Sequence, residues 1–263
     1  MTAAALARGP TDWLRTAVPP LLIFVLALAA WEGAVRGFGI PLYLLPAPSG
    51  ILETFFERPD YLLRIGLSTF SNALLGCLVG CTLGVLVAAL CVRWPIVADG
   101  LIPLSVAASA VPIIALSPLM GIWLGSVSAA SKIGVVAVMT FFPTLINVFR
   151  GLMTPRPEEI ALLRSYAAPE IDIFRKLRAP AALPFLFNAL RICTTLSMIG
   201  AVVAEFFGGP QNSLGVYIKS QAGILRTQEA WSAIIVACLL GLAFYLSVLL
   251  LERMVMPWRR GRR

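Results

Sequence analysis

Eight charged side chains crowd into the stretch Glu158–Arg178: Glu158, Glu159, Glu170 and Asp172 against Arg164, Arg175, Lys176 and Arg178. The chemistry this mixture supports is salt bridging and docking, not bond breaking. The 263-residue chain has no histidine, which removes the commonest metal ligand and the usual neutral-pH base. No mid-span carboxylate pair and no Gly-x-x-x-x-Gly-Lys-[Ser/Thr] phosphate loop occurs. No catalytic residue, metal site or cofactor is therefore expected. The five cysteines, Cys77, Cys81, Cys91, Cys193 and Cys238, fall within or at the ends of apolar runs. Cys77 and Cys81 share a helical face, where a redox or metal pair is conceivable; small apolar packing residues are the simpler reading, and no disulfide framework is implied.

The charges are spaced for two short helices. One is expected from about Glu158 to Tyr166. A second starts near Pro169, with Glu170 and Asp172 at its positive end and Arg175, Lys176 and Arg178 at its negative end. Ile171, Phe174 and Leu177 recur at helical spacing and give it one apolar face. Pro180 and Pro184 punctuate the approach to the next apolar run. Such a charged piece does not lie in hydrocarbon.

The elements on either side are membrane-like. Hydrophobic residues make up 59% of the chain and charged ones 13%, with net charge +8 and mean hydropathy +0.88; soluble domains are nearer a quarter charged. A bilayer core needs about 20 apolar residues in a helix. Six spans are expected, at Val18–Val35, Ile65–Cys91, Leu101–Leu124, Ile133–Phe149, Phe185–Ala204 and Ala233–Leu251. The fourth is short and contains Pro143, and the first has the alternative reading of a cleaved signal. Arg191, near the start of the fifth, either snorkels to the interface or lines a polar seam. The segment Ile51–Phe56 reads as a short interfacial helix or as a solvated loop. The expected fold class is an all-α integral membrane protein, residues 1–263 forming one transmembrane domain with a cytoplasmic insert at about 155–179.

Lys and Arg set the orientation. With the amino terminus inside, fourteen fall on the cytoplasmic side (Arg8, Arg15, Arg93, Arg150, Arg156, Arg164, Arg175, Lys176, Arg178, Arg253, Arg259, Arg260, Arg262, Arg263). Six fall outside (Arg36, Arg58, Arg64, Lys132, Lys219, Arg226). Both termini are thus expected in the cytoplasm of a multi-pass plasma-membrane protein. The basic tail Trp258–Arg263 reads as a contact for anionic lipid, not nucleic acid.

Polar groups inside the spans are candidates for a translocation path: Asn72, Ser109, Ser117, Asn147, Thr194 and Ser197, with Ser68, Ser105 and Thr195 behind them. Any single Ser or Thr is read more simply as an interhelical hydrogen bond, whereas a buried amide must find partners or face water. Pro112 and Pro118 interrupt the third span's hydrogen-bond ladder. Glu205, Phe206 and Phe207 precede a turn-rich segment and form a candidate outer gate, with a plain connecting loop as the alternative.

A cytoplasmic insert between the fourth and fifth of six spans, ending in Pro-x-x-Leu-Pro, resembles the EAA loop of binding-protein-dependent ABC importer permeases. The chain is most similar to the branch serving taurine, aliphatic sulfonates, nitrate, and pyrimidine or riboflavin-type vitamins. Arg164-Ser165, Phe174-Arg175-Lys176 and Pro180-Ala181-Ala182-Leu183-Pro184 carry the likeness in the insert. Ala110-Val111-Pro112, Leu116-Ser117-Pro118-Leu119 and Trp123-Leu124-Gly125 carry it upstream. Two departures stand out: Ala161-Leu162-Leu163 replaces the usual Glu-Ala-Ala, and Ala167 the usual glycine of a turn that favours positive φ. The resemblance implies a type I importer permease fold, ATPase partners on the cytoplasmic side, an external solute-binding protein and two permease copies, most simply a homodimer. It implies that Glu158, Glu159, Ile160, Leu163, Arg164, Ala167, Glu170, Ile171, Phe174 and Arg175 couple the pore to the ATPases. Phe174 is expected to fill a pocket of the partner; packing against the permease's own spans is the competing reading.

The run Gly200–Gly209 and Leu163–Tyr166 look most like members moving heterocyclic vitamins or precursors such as riboflavin or hydroxymethylpyrimidine. Taurine, sulfonate or nitrate is the alternative cargo. Two other classes compete. An ion-coupled carrier or channel usually places an ionisable group near the midplane, and here Glu32 and Arg191 sit near span ends. A membrane-embedded enzyme needs a reactive constellation that the composition does not supply.

Overall fold

A computed structural model describes residues 10–257, with side chains from residue 18 onward except Ile113. The tail Trp258–Arg263, expected at lipid headgroups, and Arg8 lie outside the described residues. Helices account for all the regular structure among them: α1 (Pro10–Gly37), α2 (Pro48–Glu57), α3 (Pro59–Arg93), α4 (Pro95–Ala108), α5 (Ile113–Leu124), α6 (Ala129–Leu152), α7 (Pro157–Ser165), α8 (Glu170–Ile173), α9 (Ala179–Phe206), α10 (Leu214–Gly223) and α11 (Thr227–Val255). Five helical stretches are long and apolar enough to cross a bilayer: Val18–Gly37, Pro59–Arg93, Ala129–Leu152, Glu170–Phe206 and Thr227–Val255.

The expected third span, Leu101–Leu124, is not one helix. It is split into α4 and α5 across residues 109–112, where Ala110 and Val111 close three-residue turns onto Ala107 and Ala108. Pro112 has no N–H to offer the carbonyl four residues back, so the ladder ends there. Pro118 and Pro103, by contrast, are tolerated inside α5 and α4. The fourth span is longer than expected, reaching Ala129–Leu152 despite Pro143, and Ile51–Phe56 belongs to the helix α2.

Core packing centres on α3, α6 and α9. Gly76, Gly80 and Gly84 recur every fourth residue on α3 and so line one helical stripe. A Cβ at Gly80 would sit 2.3 Å from the Ala137 carbonyl, and one at Gly84 would sit 2.9 Å from that of Phe141. Only glycine lets α3 and α6 meet this closely, the small-residue device by which spans associate without a hydrophobic driving force between them. The first span stands apart, its residues from Val18 to Val25 largely exposed to the surroundings. It is held at one end by Glu32, whose carboxylate accepts from Ser49 N (3.0 Å), Ser49 Oγ (2.8 Å) and Arg36 Nε (2.6 Å).

Candidate functional site

The charged insert begins with α7. Pro157 opens it, and the Glu159 carboxylate reaches back to accept from Arg156 N at 2.9 Å. That hydrogen bond, followed by those from the Arg156 side chain, holds Glu159 below the usual carboxylate range. None of the α7 side chains is buried. The turn that follows places Ala167 at φ +55, left-handed backbone where glycine is the usual occupant. The alanine departure has therefore kept a left-handed turn at the cost of steric strain. Arg164 and Glu170 bridge the turn with Nη2–Oε1 at 2.8 Å, both largely exposed.

Beyond the turn, α8 does not stop at the prolines. The Ala179 N–H bonds the carbonyl of Phe174, five residues back, in a widened π-type turn over Phe174–Arg178, and the helix continues through Pro180 and Pro184 to Phe206. The wider turn accommodates a proline that has no donor and crowds the preceding turn. The short docking helix and the fifth span are one continuous rod. Arg178 Nη1 donates to the Leu152 carbonyl at 3.1 Å, which fastens this rod to the end of α6.

The apolar face divides differently from the sequence expectation. Ile173 is fully buried. Phe174 is half-buried and packs against a cluster containing Ala88, Leu145, Val148, Leu152 and Ala182 of its own chain. The competing reading, packing against the permease's own spans, is thus the one its position matches. Ile160 and Leu163 are half-buried, while Leu162, Tyr166 and Ile171 are 57%, 77% and 60% exposed. Glu158, Arg164, Glu170 and Arg175 are exposed around them. Leu162 and Tyr166 lie four apart on α7 and its end, on one face. From sequence, Ile160 and Leu163 stood for the apolar side of this helix and Leu162 and Tyr166 were left out, because no helical phase was assigned to α7.

Within the spans, several path candidates point into the bundle. Thr194 and Ser197 are fully buried and donate back to the Arg191 and Cys193 carbonyls. Asn72 is buried on α3 beside Glu205. Ser117 is buried on α5; Ser109 and Pro112 are exposed at the α4–α5 break. Open instead is the neighbouring face of α9, where Asn188, Ile192 and Thr195 line a groove of about 450 Å³ with Arg191, Leu196 and Tyr245. Asn188 Nδ2 donates to Asn147 Oδ1 at 3.4 Å, so Asn147 meets this face. Arg191 lines the polar seam, paired with Glu252 of α11 at 3.2 Å. Asn188 escaped notice because no phase was assigned to the α9 helix.

The candidate outer gate contains a joint between α3, α9 and α10. Glu205 is fully buried, its Oε2 accepting from the Thr69 hydroxyl (2.9 Å) and from Gly215 N (2.8 Å). Thr69 Oγ1 in turn accepts from Leu214 N at 2.9 Å. A carboxylate and a hydroxyl thereby satisfy the free N–H groups that open α10, a helix the sequence reading did not anticipate. Phe206 packs against the cluster around Leu62, Ile65 and Leu214, while Phe207 is 47% exposed.

Comparison with known proteins agrees with this architecture. The family model of the binding-protein-dependent transport system inner membrane component matches residues 80–261. The formylaminopyrimidine transport permease protein ThiX of Halalkalibacterium halodurans is 30% identical over 245 residues, covering 93% of this chain and 97% of that one. The riboflavin transport system permease protein RibX of Chloroflexus aurantiacus is 31% identical over 251 residues, 94% of this chain and 91% of that one. The putative aliphatic sulfonates transport permease protein SsuC of Bacillus subtilis is 28% identical over 256 residues, 95% and 89%.

Proposed function

The chain belongs to the family of binding-protein-dependent transport system inner membrane components, and on that premise we propose a cargo, an assembly and a set of contacts for it. It is the multi-pass, non-catalytic permease subunit of an ABC importer, working with an ATPase and a solute-binding protein. The proposed cargo is a heterocyclic vitamin or precursor. What carries that reading is the near-full-length likeness to permeases named for formylaminopyrimidine and for riboflavin. Two copies form the pore, both termini and the insert face the cytoplasm, and lipid surrounds the remaining apolar surface.

In this reading the ATPase seats against the exposed apolar group Leu162, Tyr166 and Ile171, ringed by Glu158, Arg164, Glu170 and Arg175. Ile160, Leu163 and Phe174 support that group from behind. Because α8 runs without interruption into α9, a displacement at the insert moves the fifth span as a rigid body. The groove at Asn188, Ile192 and Thr195, next to Asn147, is the path wall on that span.

The test is uptake in cells expressing the permease with its ATPase and binding protein. Labelled riboflavin or formylaminopyrimidine should accumulate. Accumulation of taurine, alkanesulfonates or nitrate instead would overturn the proposed cargo while leaving the permease in place.

A further inference from the structure

At the end of the bundle opposite the insert, a cavity of about 230 Å³ lies between α5, the start of α6 and the end of α9. Its polar lining is Ser117, Ser126, Ser131 and Lys132. Lys132 is only 2% exposed, and its ammonium donates to the Ser126 carbonyl and to Ser131 Oγ at 3.1 Å. Both acceptors are neutral. The buried carboxylate whose charge reaches Lys132 is Glu205; its Oε2 accepts from Thr69 and Gly215, and its Oε1 is buried without a hydrogen-bond partner. A buried ammonium with three donors is under-compensated by such partners. Ser117, 4% exposed, lines the same cavity with a hydroxyl that has no hydrogen-bond partner. Ser131 and Lys132 also occupy the first turn of the 24-residue helix α6, whose dipole favours negative charge there, with the Ala130 N–H already capped by Ser128 Oγ at 3.1 Å.

We propose that this cavity is a binding site for a compact oxyanionic group, held by the Lys132 ammonium, the Ser117 hydroxyl and the amino end of α6. Pockets for whole drug-sized ligands run about 300–1,000 Å³, so this one takes an inorganic oxyanion or the acidic head of a larger solute, not an entire vitamin. Gly208 lets the loop after α9 press on the cavity: a Cβ there would meet the Ser126 carbonyl at 2.9 Å. Occupancy of the site thus braces the α5–α6 turn against that loop. The site stands whatever solute the transporter moves.

The test uses the full-length permease in lipid nanodiscs, titrated with sodium nitrate while sodium gluconate, too bulky for the cavity, keeps ionic strength constant. The melting midpoint should rise with nitrate and saturate. Ser117→Ala removes an unpartnered buried hydroxyl without adding volume, so it should melt no lower than wild type in gluconate. Its nitrate half-saturation should nonetheless shift upward by about tenfold, the loss of one hydrogen bond to a charged group. Lys132→Gln should abolish the response; if that variant fails to fold, Ser117→Ala alone decides. Methanesulfonate distinguishes the sources: saturation matching nitrate assigns the site to the head of a sulfonate-like solute, and saturation by nitrate alone assigns it to free inorganic anion. A rise that is absent, does not saturate, or is the same in wild type and Ser117→Ala overturns the proposal.

Discussion

Truncating Phe174 and truncating Tyr166 should have opposite consequences. Phe174 is half-buried against Leu152, Val148 and their neighbours. A fully buried Phe→Ala change costs about 3–5 kcal/mol, so half burial puts Phe174→Ala at about 2 kcal/mol of permease stability. The helix it leaves loosened is the one that continues into the fifth span. Tyr166 is 77% exposed and touches no core cluster among the described residues, so Tyr166→Ala should change stability by less than about 0.5 kcal/mol. As an aromatic anchor in a partner's pocket, however, its loss should weaken ATPase binding by about 2 kcal/mol, roughly thirtyfold. The assay has two readouts on the same detergent preparations: the permease's melting midpoint alone, and co-purified ATPase per folded permease. Phe174→Ala should lower the first and spare the second; Tyr166→Ala should do the reverse. Loss of ATPase from a Phe174→Ala permease of normal stability would refute the reasoning and return Phe174 to the interface.

Gly80→Ala places a methyl carbon 2.1 Å from Thr140 Oγ1 and 2.3 Å from the Ala137 carbonyl, forcing α3 and α6 apart. It should cost about 1–3 kcal/mol and reduce monodisperse recovery in detergent, whereas Gly100→Ala, which meets nothing within 4 Å, should not. Ala167→Gly should relieve the left-handed strain at φ +55 and stabilise the insert by about 1 kcal/mol, read as slower hydrogen exchange across residues 157–174. Thr69→Val leaves the Leu214 N–H and one Glu205 oxygen without their hydroxyl. It should cost about 1–3 kcal/mol, appearing as faster exchange and proteolysis at residues 208–223 with little change in the insert.

Long apolar runs were legible because a span's length and lack of charge are local properties, and the insert was legible because its charges cannot enter hydrocarbon. The break at residues 109–112 was half-legible: Pro112 signalled an interrupted ladder, but proline also sits unbroken at Pro118, Pro143, Pro180 and Pro184. What decides is whether neighbouring turns and helices re-satisfy the freed carbonyls, as the widened turn before Pro180 does. Helix phase was the main thing lost. Thr194 and Thr195 are adjacent in sequence, yet one is buried and the other faces the groove. Hydrophobic periodicity cannot set the phase when both faces of a span are apolar. The Gly76, Gly80, Gly84 stripe was the available signal, since it marks the α6-facing side of α3. Glu205 was noticed but its joint was not legible, because its partners Thr69 and Gly215 come from different elements.

The permease assignment is tested most directly by transport in proteoliposomes. The chain is reconstituted with its ATPase and supplied with loaded solute-binding protein, with ATP placed on the side of the insert. Uptake should require ATP and binding protein, stop with a hydrolysis-dead ATPase, and persist when proton and sodium gradients are collapsed. Uptake by the permease alone, driven by an ion gradient and indifferent to ATP, would contradict the account.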